Sequence, residues 1–584
     1  MKRLILTASV IVVAWGWAQT TQLNAQRVTA QQNSTAERDE AVRRVIAIAD
    51  EFVAENFVRY PARYPASGRD GEIEDNSLAA ALRWQQKEDG WIAALRLIDP
   101  VRLVGTPAWV VHGTLSERLE ALRESRVCRE ELWRMSGGDH WLTALPSLAA
   151  RQPVGTPESR KLALARFGML PQYLDTEIAN LRRGLEEGYS TPKVIVERNI
   201  RQLDALSRPP AEASLLFGPA RRDSTQEFVS QWRALLTEQI QPALNRYRNF
   251  LRDEYLPAAR EAVGLSAHPN GDACFRALVR NYTSLRDLPE DLYTVYLRGL
   301  EQARTTGGQI GKSAVEGGSI RMTVQDLVAR PESRFNSREE VIPAAEALVR
   351  RFEAQLPKFF TRVPPQPVTV GPIPAFREES AAFGFYAGKG LVQVNLSRAM
   401  EPGSKLRLES MVFHETGHHV QASLTSERLQ IHRALVMLRQ PVFNEGWGDY
   451  VAQLALEQGL LSADAARVFE FESGEGHAGN VVQAGLHLKG WSRAQAIDFL
   501  SQYTTRTDAE IAAAVDRRIA LPGETLAYSA GKIRILELRA RAKQALGSRF
   551  DLREFHDRVL EYGSVPLPML TDMIERWIES KRTP

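Results

Sequence analysis

Cysteine is nearly absent: Cys128 and Cys274 are the only two in 584 residues. Neither sits at ligand-like spacing from a second metal-binding side chain, which excludes a cysteine-built metal centre. Two thiols are also too few to form the framework of a disulfide-dense scaffold. Their positions are compatible both with a pair across a long loop and with two separate buried thiols. Charge of one sign is equally scarce in excess. Lys and Arg total 74 against 71 Asp and Glu, a net charge of +3, and no long basic run occurs, so nucleic-acid binding has no electrostatic support. No apolar run reaches the roughly 20 residues that span a bilayer. No internal repeat of fixed period and no Pro/Ser-rich linker divides the chain. What remains, 44% hydrophobic and 25% charged residues, is ordinary globular composition with ample material for a large core.

The N-terminus reads differently. Lys2 and Arg3 precede an apolar stretch from Leu4 to Trp17, with small residues at Gly16 and Ala18. Residues 1–25 therefore read as a secretory signal peptide cleaved after Ala18 or Ala25, and the protein is expected to be exported, periplasmic or secreted, with no stable membrane span afterwards. No cysteine lies there to carry a lipid. Residues 26–36 read as a disordered lead-in.

Helical periodicity dominates the chain beyond residue 36. Glu37–Phe57, Ser77–Leu97, Leu115–Met135, Leu174–Leu185, Gln226–Leu256 and Leu288–Ala303 carry apolar residues at three-to-four spacing, punctuated by prolines such as Pro61, Pro65, Pro209, Pro210 and Pro219. The glycine-rich stretch 305–320 has GGQIGKSA, but its glycine spacing is one short of a phosphate-binding loop and a helix precedes it, so it reads as a connector. Ser337 with Glu340 forms a capping-box pattern opening a helix to about Phe360. VTVGPI (368–373), AAFGFY (381–386) and LVQVNL (391–396) are short, β-branched or aromatic, and predict a small antiparallel sheet. Helices return beyond Ser404. The expected fold is mainly α, one large unit with a deep cleft, made of an N-terminal helical half (37–330) and a catalytic half (331–584).

The chemistry concentrates in FHETGHHVQ. On a helix of about 3.6 residues per turn, His414 and His418 stand roughly 40° apart and reach one metal ion, while Glu415 projects from the adjacent face. Catalytic zinc takes three protein ligands and keeps one position for water, and a carboxylate near that water serves as base. Glu445 in NEGWGD, 27 positions after His418, fits the third ligand on a return helix, and Asp449 one turn later fits a partner for the free nitrogen of a ligating histidine. His419 lies roughly 140° around the helix from His414 and is expected to support or pack rather than ligate. Hydrolysis also needs a donor for the oxyanion. Tyr528 and His487 are the candidates, while His477 on a glycine-flanked segment is weaker. The strand LVQVNL, just before the zinc motif, is a candidate open edge for an extended peptide, through Val392, Val394 and Asn395.

The combined pattern resembles the gluzincin metallopeptidases, which implies His414, His418 and Glu445 as zinc ligands and Glu415 as base. More specifically, GLEEGYSTPKVIVE, YLPAAR, LVQVNLS, HETGHHVQ, NEGWGDYVAQLA, GLHLKGWSRAQA, PGETLAYSAGKIRILELRA and FDLREFHDRVLEYGSVPL, which span 184–567, resemble the bacterial domain-of-unknown-function family 885. That family is distantly similar to carboxypeptidase Taq and thimet oligopeptidase. The chain departs from its pattern in three places. It lacks the proline-containing longer His-Glu segment, Gln483 replaces an Asp before GLH, and Arg518 replaces a Tyr. Tyr528 and Gly531 match.

The expected activity is zinc-dependent peptide hydrolysis with one metal ion, and the resemblance to cleft-type helical peptidases implies small peptides as the substrates. Two rivals stand beside it: a non-catalytic zinc-stabilised peptide-binding protein, against which the intact Glu415 argues, and a zinc hydrolase of a non-peptide amide or ester.

Overall fold

A computed structural model describes residues 35–582 apart from 65–66, 138–139, 287–289, 292, 302–319, 376–377, 379–380 and 427–431. The signal segment, most of the lead-in and the glycine-rich stretch 305–320, up to its final residue, lie outside the described residues. Residues 35 and 36 already belong to a helix that runs to 59, so the lead-in stops short of them.

The architecture is mainly helical, and the helices begin where side chains and prolines satisfy their first turns. Ser77 accepts the Ala80 amide to open Leu78–Arg96, and Pro107 stands at the start of Pro107–Ser125. The predicted helix Gln226–Leu256 is a continuous helical rod interrupted by two π-helical turns, Leu236–Ile240 and Leu251–Tyr255, each followed by a proline one residue into the next α segment. A proline lacks the N–H for an i−4 bond and its ring crowds the preceding turn, which the wider π turn accommodates.

Ser337 does not build the predicted capping box. It precedes a 3-10 turn, Arg338–Glu340, without capping it, and the Glu340 carboxylate accepts the Asn336 amide instead. The tighter turn moves the third residue out of reach of the cap, and the α-helix proper is Val341–Glu353.

The sheet has three strands in the order β1-β3-β2: β1 Thr369–Pro372, β2 Gly384–Gly388 and β3 Leu391–Val394. β1 pairs with β3 in parallel and β2 pairs with β3 antiparallel, so the sheet is mixed rather than antiparallel. β3 is its centre. Val392 and Val394 are fully buried against Leu408 and Val412, and the Asn395 side chain is spent on the backbone of Glu378, Ala381, Ser397 and Arg398. The expected open edge for substrate is therefore not β3.

Five helices frame the site: α1 Ser404–Ser426, α2 Pro441–Glu457, α3 Ala463–His487, α4 Asp508–Ala520 and α5 Leu526–Leu546. The largest core joins all of these but α4 to distant chain: Phe413, Trp447, Tyr450 and Leu538 share one cluster with Phe52, Trp91 and Leu115 from the N-terminal helices and with Trp577 near the C-terminus. A second core, around Trp232, Tyr247 and Tyr255, is built from residues between 135 and 259. Cys128 and Cys274 form a disulfide that closes the 146-residue loop holding this second core. A loop of that length removes about 5 kcal/mol of unfolded-chain entropy. No helix among the described residues is long and apolar enough to cross a membrane.

Candidate metal centre

α1 carries His414, Glu415 and His418, and α2 crosses it closely enough to bring Glu445 and Asp449 alongside. Glycine makes that approach possible. A Cβ at Gly448 would stand 2.6 Å from the His414 ring, and one at Gly446 would meet the backbone of Gly531 on α5 at 2.4 Å. The two glycines of NEGWGD thus let one helix press against the metal motif on one side and against α5 on the other. Trp447 between them donates its indole N–H to the Gly417 carbonyl (3.0 Å), tying α2 to the middle of the motif.

The ligand atoms of His414, His418 and Glu445 lie within 4.8 Å of one another, a group able to hold a metal ion. Nε2 of His414 is 3.1 Å from Nε2 of His418, and the Glu445 carboxylate is 3.7 Å and 4.0 Å from them. Tetrahedral zinc with bonds of about 2.0–2.1 Å separates its ligand atoms by about 3.4 Å, so shifts of a few tenths of an ångström accommodate the ion. Each imidazole is oriented by its neighbours. Nδ1 of His414 is 3.1 Å from Asp449, and His418 hydrogen-bonds Gln421, whose amide donates to Asn444. Both Nε2 atoms are left facing the cluster.

The electrostatics fit a cation. Burial opposes charge on His414, but the carboxylates of Asp449 and Glu445 outweigh it and raise its pKa well above the ordinary histidine value. Burial and then the neighbouring His414 push His418 down to about 4. Two imidazoles nose to nose, one shifted toward its charged form and the other toward its neutral form, thus lie beside two carboxylates, an arrangement able to hold a cation. Glu445 and Asp449, despite burial, are held below the usual carboxylate range, first by hydrogen bonds to His414. Glu415 is shifted the other way: it is only 8% exposed, and burial raises its pKa. One of its oxygens accepts the Tyr386 amide of β2 at 2.7 Å.

Tyr528 on α5 also reaches the cluster. Its ring stacks on His414 (centroids 6.4 Å apart, 25° between planes), and its hydroxyl hydrogen-bonds Glu445 and Arg517. Burial, followed by the Glu445 charge, keeps that hydroxyl protonated. His487 is elsewhere. It is fully buried at the end of α3, where Nδ1 accepts the Leu265 amide (3.2 Å) and Nε2 donates to the Arg518 carbonyl (3.1 Å). Both nitrogens are consumed by backbone, so His487 is no oxyanion donor. Gln483 accepts the Gly523 amide and donates to Thr525, bracing the turn between α4 and α5, and Arg518 donates to the Gly479 carbonyl. His419 bonds the Gln366 carbonyl (3.0 Å) and approaches the Tyr386 hydroxyl (3.4 Å), steadying the strand whose amide meets Glu415. Sequence reasoning missed Gln421, Asn444 and Tyr386. The first two carried a signal, since Gln421 is one helical turn after His418 and Asn444 adjoins Glu445.

A large helical fold, a small mixed sheet against the motif helix, and two histidines converging with a glutamate define the class of molecule. The chain belongs to the family described as bacterial protein of unknown function (DUF885), whose profile matches residues 61–574. In fold it is similar to the crystal structure of "the putative lipoprotein from Colwellia psychrerythraea" (TM-score 0.79, 20% identity, covering 94% of this chain and 99% of that one). A "putative lipoprotein of unknown function from Shewanella oneidensis" is similar at TM-score 0.72 and 16% identity, over 90% and 99% of the two chains. No curated protein matches.

Proposed function

We propose that the protein is an exported zinc-dependent peptidase of gluzincin type. The observation that carries this reading is the convergence of His414, His418 and Glu445 beside a buried carboxylate, Glu415, held by a strand amide. When bound by those three side chains, zinc supplies Lewis acidity toward a carbonyl oxygen and toward water. Glu415 has one oxygen anchored by Tyr386 and the other free. Its raised pKa suits a group that takes a proton from water and returns it to the departing amine. Tyr528, protonated and stacked on His414, is the donor for the developing oxyanion. The strand facing this machinery is β2. The Tyr386 amide points to Glu415, away from β3, so the outer edge of β2 is where an extended peptide would pair main chain to main chain. Export rests on the N-terminal segment, on the disulfide, a feature of oxidising compartments, and on the lipoprotein descriptions of the two structural relatives.

The test is a peptide-library digest with zinc-loaded protein, its Glu415→Gln variant and a chelated control. The expected result is cleavage by the zinc form, lost on chelation and reduced by about 10²–10⁴-fold in the variant. Chelator-insensitive cleavage, or full activity in Glu415→Gln, overturns the reading. No cleavage in any sample favours a zinc-stabilised binding protein.

A further inference from the structure

Glu415 and His419 lie one helical turn apart on the same face of α1, so both can act on one residue of the strand packed there. That residue is Tyr386 of β2. Its amide donates to Glu415 at 2.7 Å, and its hydroxyl lies 3.4 Å from Nδ1 of His419, with the two rings edge to face and their centroids 5.9 Å apart. Four residues of helix rise about 6 Å, a span comparable to that from a tyrosine's backbone to its hydroxyl. The direction of each hydrogen bond follows from the ends of the chain of contacts. Nε2 of His419 donates to the Gln366 carbonyl (3.0 Å), which leaves Nδ1 as an acceptor for the Tyr386 hydroxyl, and that hydroxyl in turn accepts the Gly390 amide (3.1 Å). His419 is buried, and both its nitrogens are directed at the sheet, one at the approach to β1 and the other at the β2 hairpin.

The hairpin needs such a clamp, because strand pairing alone does not set its backbone. Between Tyr386 and Gly388 the register with β3 slips, leaving Ala387 as the extra residue of a bulge, and Gly388, Lys389 and Gly390 then take φ of +90°, +51° and +77°. A bulge re-aims the strand residues beside it, and a lysine in the left-handed region persists only where its surroundings hold it there. The return of the chain is close. A Cβ on Gly390 would lie 3.3 Å from the Pro367 carbonyl oxygen and 3.6 Å from the His419 ring. We infer that His419 and Tyr386 are positioning residues for Glu415: together they fix the hairpin so that one backbone amide holds one carboxylate oxygen. The inference rests on the peptidase reading for its use, since Glu415 is the base there, but not for its first test.

The test is a double-mutant cycle of His419→Ala and Tyr386→Phe, read first by residue-resolved hydrogen exchange on the zinc-loaded protein. Glu415→Ala, which removes the acceptor, sets the exchange rate of a residue-386 amide that is not held. Each single variant is expected to speed that amide about ten-fold or more, toward the Glu415→Ala rate. The double variant should go no further than the faster single, because the two side chains act in series. Zinc affinity and exchange in the two large cores should stay within about a factor of two of the parent. The second readout is hydrolysis of the best peptide from the library digest. A misplacement of about 1 Å lowers rates about 10²-fold, so kcat should fall by about that factor in each variant, and by more than KM changes. Parent-like exchange of the residue-386 amide in either single variant, additive effects in the double, zinc lost alongside faster exchange, or a parent-like kcat despite faster exchange overturns the inference. Faster exchange in a protein that cleaves nothing leaves the clamp on Glu415 standing and removes the peptidase reading instead.

Discussion

His414 and His487 are both crowded by neighbouring helices, but they are opposite chemical environments. His414 is partly exposed and ringed by carboxylates of Glu445 and Asp449, with Nε2 turned toward a second imidazole. His487 is enclosed by backbone, with an amide on one nitrogen, a carbonyl on the other and Phe275 against its ring. Its pKa is pushed down to about 3, mainly by burial, whereas that of His414 is raised by the carboxylates. The difference is between a residue whose capacity to bind is left unspent and one whose capacity is used to hold chain segments together.

Substitution at each site should separate the two roles. His418→Ala removes one of the three proposed ligands. Zinc affinity is expected to fall on the order of a thousand-fold, read by competition with a chromophoric chelator, with the metal-free melting temperature nearly unchanged. His487→Ala should do the reverse. It strands the buried Leu265 amide and opens a cavity, for a stability loss of about 3 kcal/mol in denaturant titration, while zinc affinity stays within a factor of two or so of the parent. If His487→Ala instead weakened zinc as much as His418→Ala, the two regions would not be independent.

A smaller effect refines the contrast through pH. The folded-state pKa of His487 lies below the unfolded value of about 6.5, so its neutral form contributes stability that is present above pH 6.5 and declines as pH falls toward about 3. The stability gap between parent and His487→Ala should therefore narrow below pH 6.5, by at most about 1.4 kcal/mol per pH unit. His268 and His556, both pushed down to about 4 chiefly by burial, give the chain the same direction of acid sensitivity. In metal-free protein His414 contributes with the opposite sign, present below pH 6.5 and lost as pH rises through its raised value. Melting curves against pH, with and without zinc, distinguish the two slopes.

Local pattern reveals some of these features and not others. Helix positions follow from residues three and four apart, so the motif helix, the return helix with Glu445 and the N-terminal helices were legible. So was a partner role for Asp449 toward one of the motif histidines, since Asp449 lies one turn beyond Glu445 on the same face, whereas its choice of His414 was not. The strands were legible too, but their order was not. LVQVNL became the buried centre because Val370 and Tyr386 flank it on either side, a matter of chain return rather than of the strand's own residues. His487 was a candidate because it lies C-terminal to the proposed ligands, yet Leu265, 222 residues away, occupies its nitrogen.

Residue order alone singled out the candidate ligands His414, His418 and Glu445 and the neighbouring carboxylate of Glu415, because helical spacing puts the two histidines on one face. Folding in three dimensions was needed to bring Cys128 to Cys274 and to present the edge of β2 rather than β3 to Glu415. The cause is range. Spacing along a helix is set by covalent geometry within a few residues, whereas which helix or strand lies alongside is set by packing of apolar faces far apart in the chain, and here also by the glycines that let those faces touch.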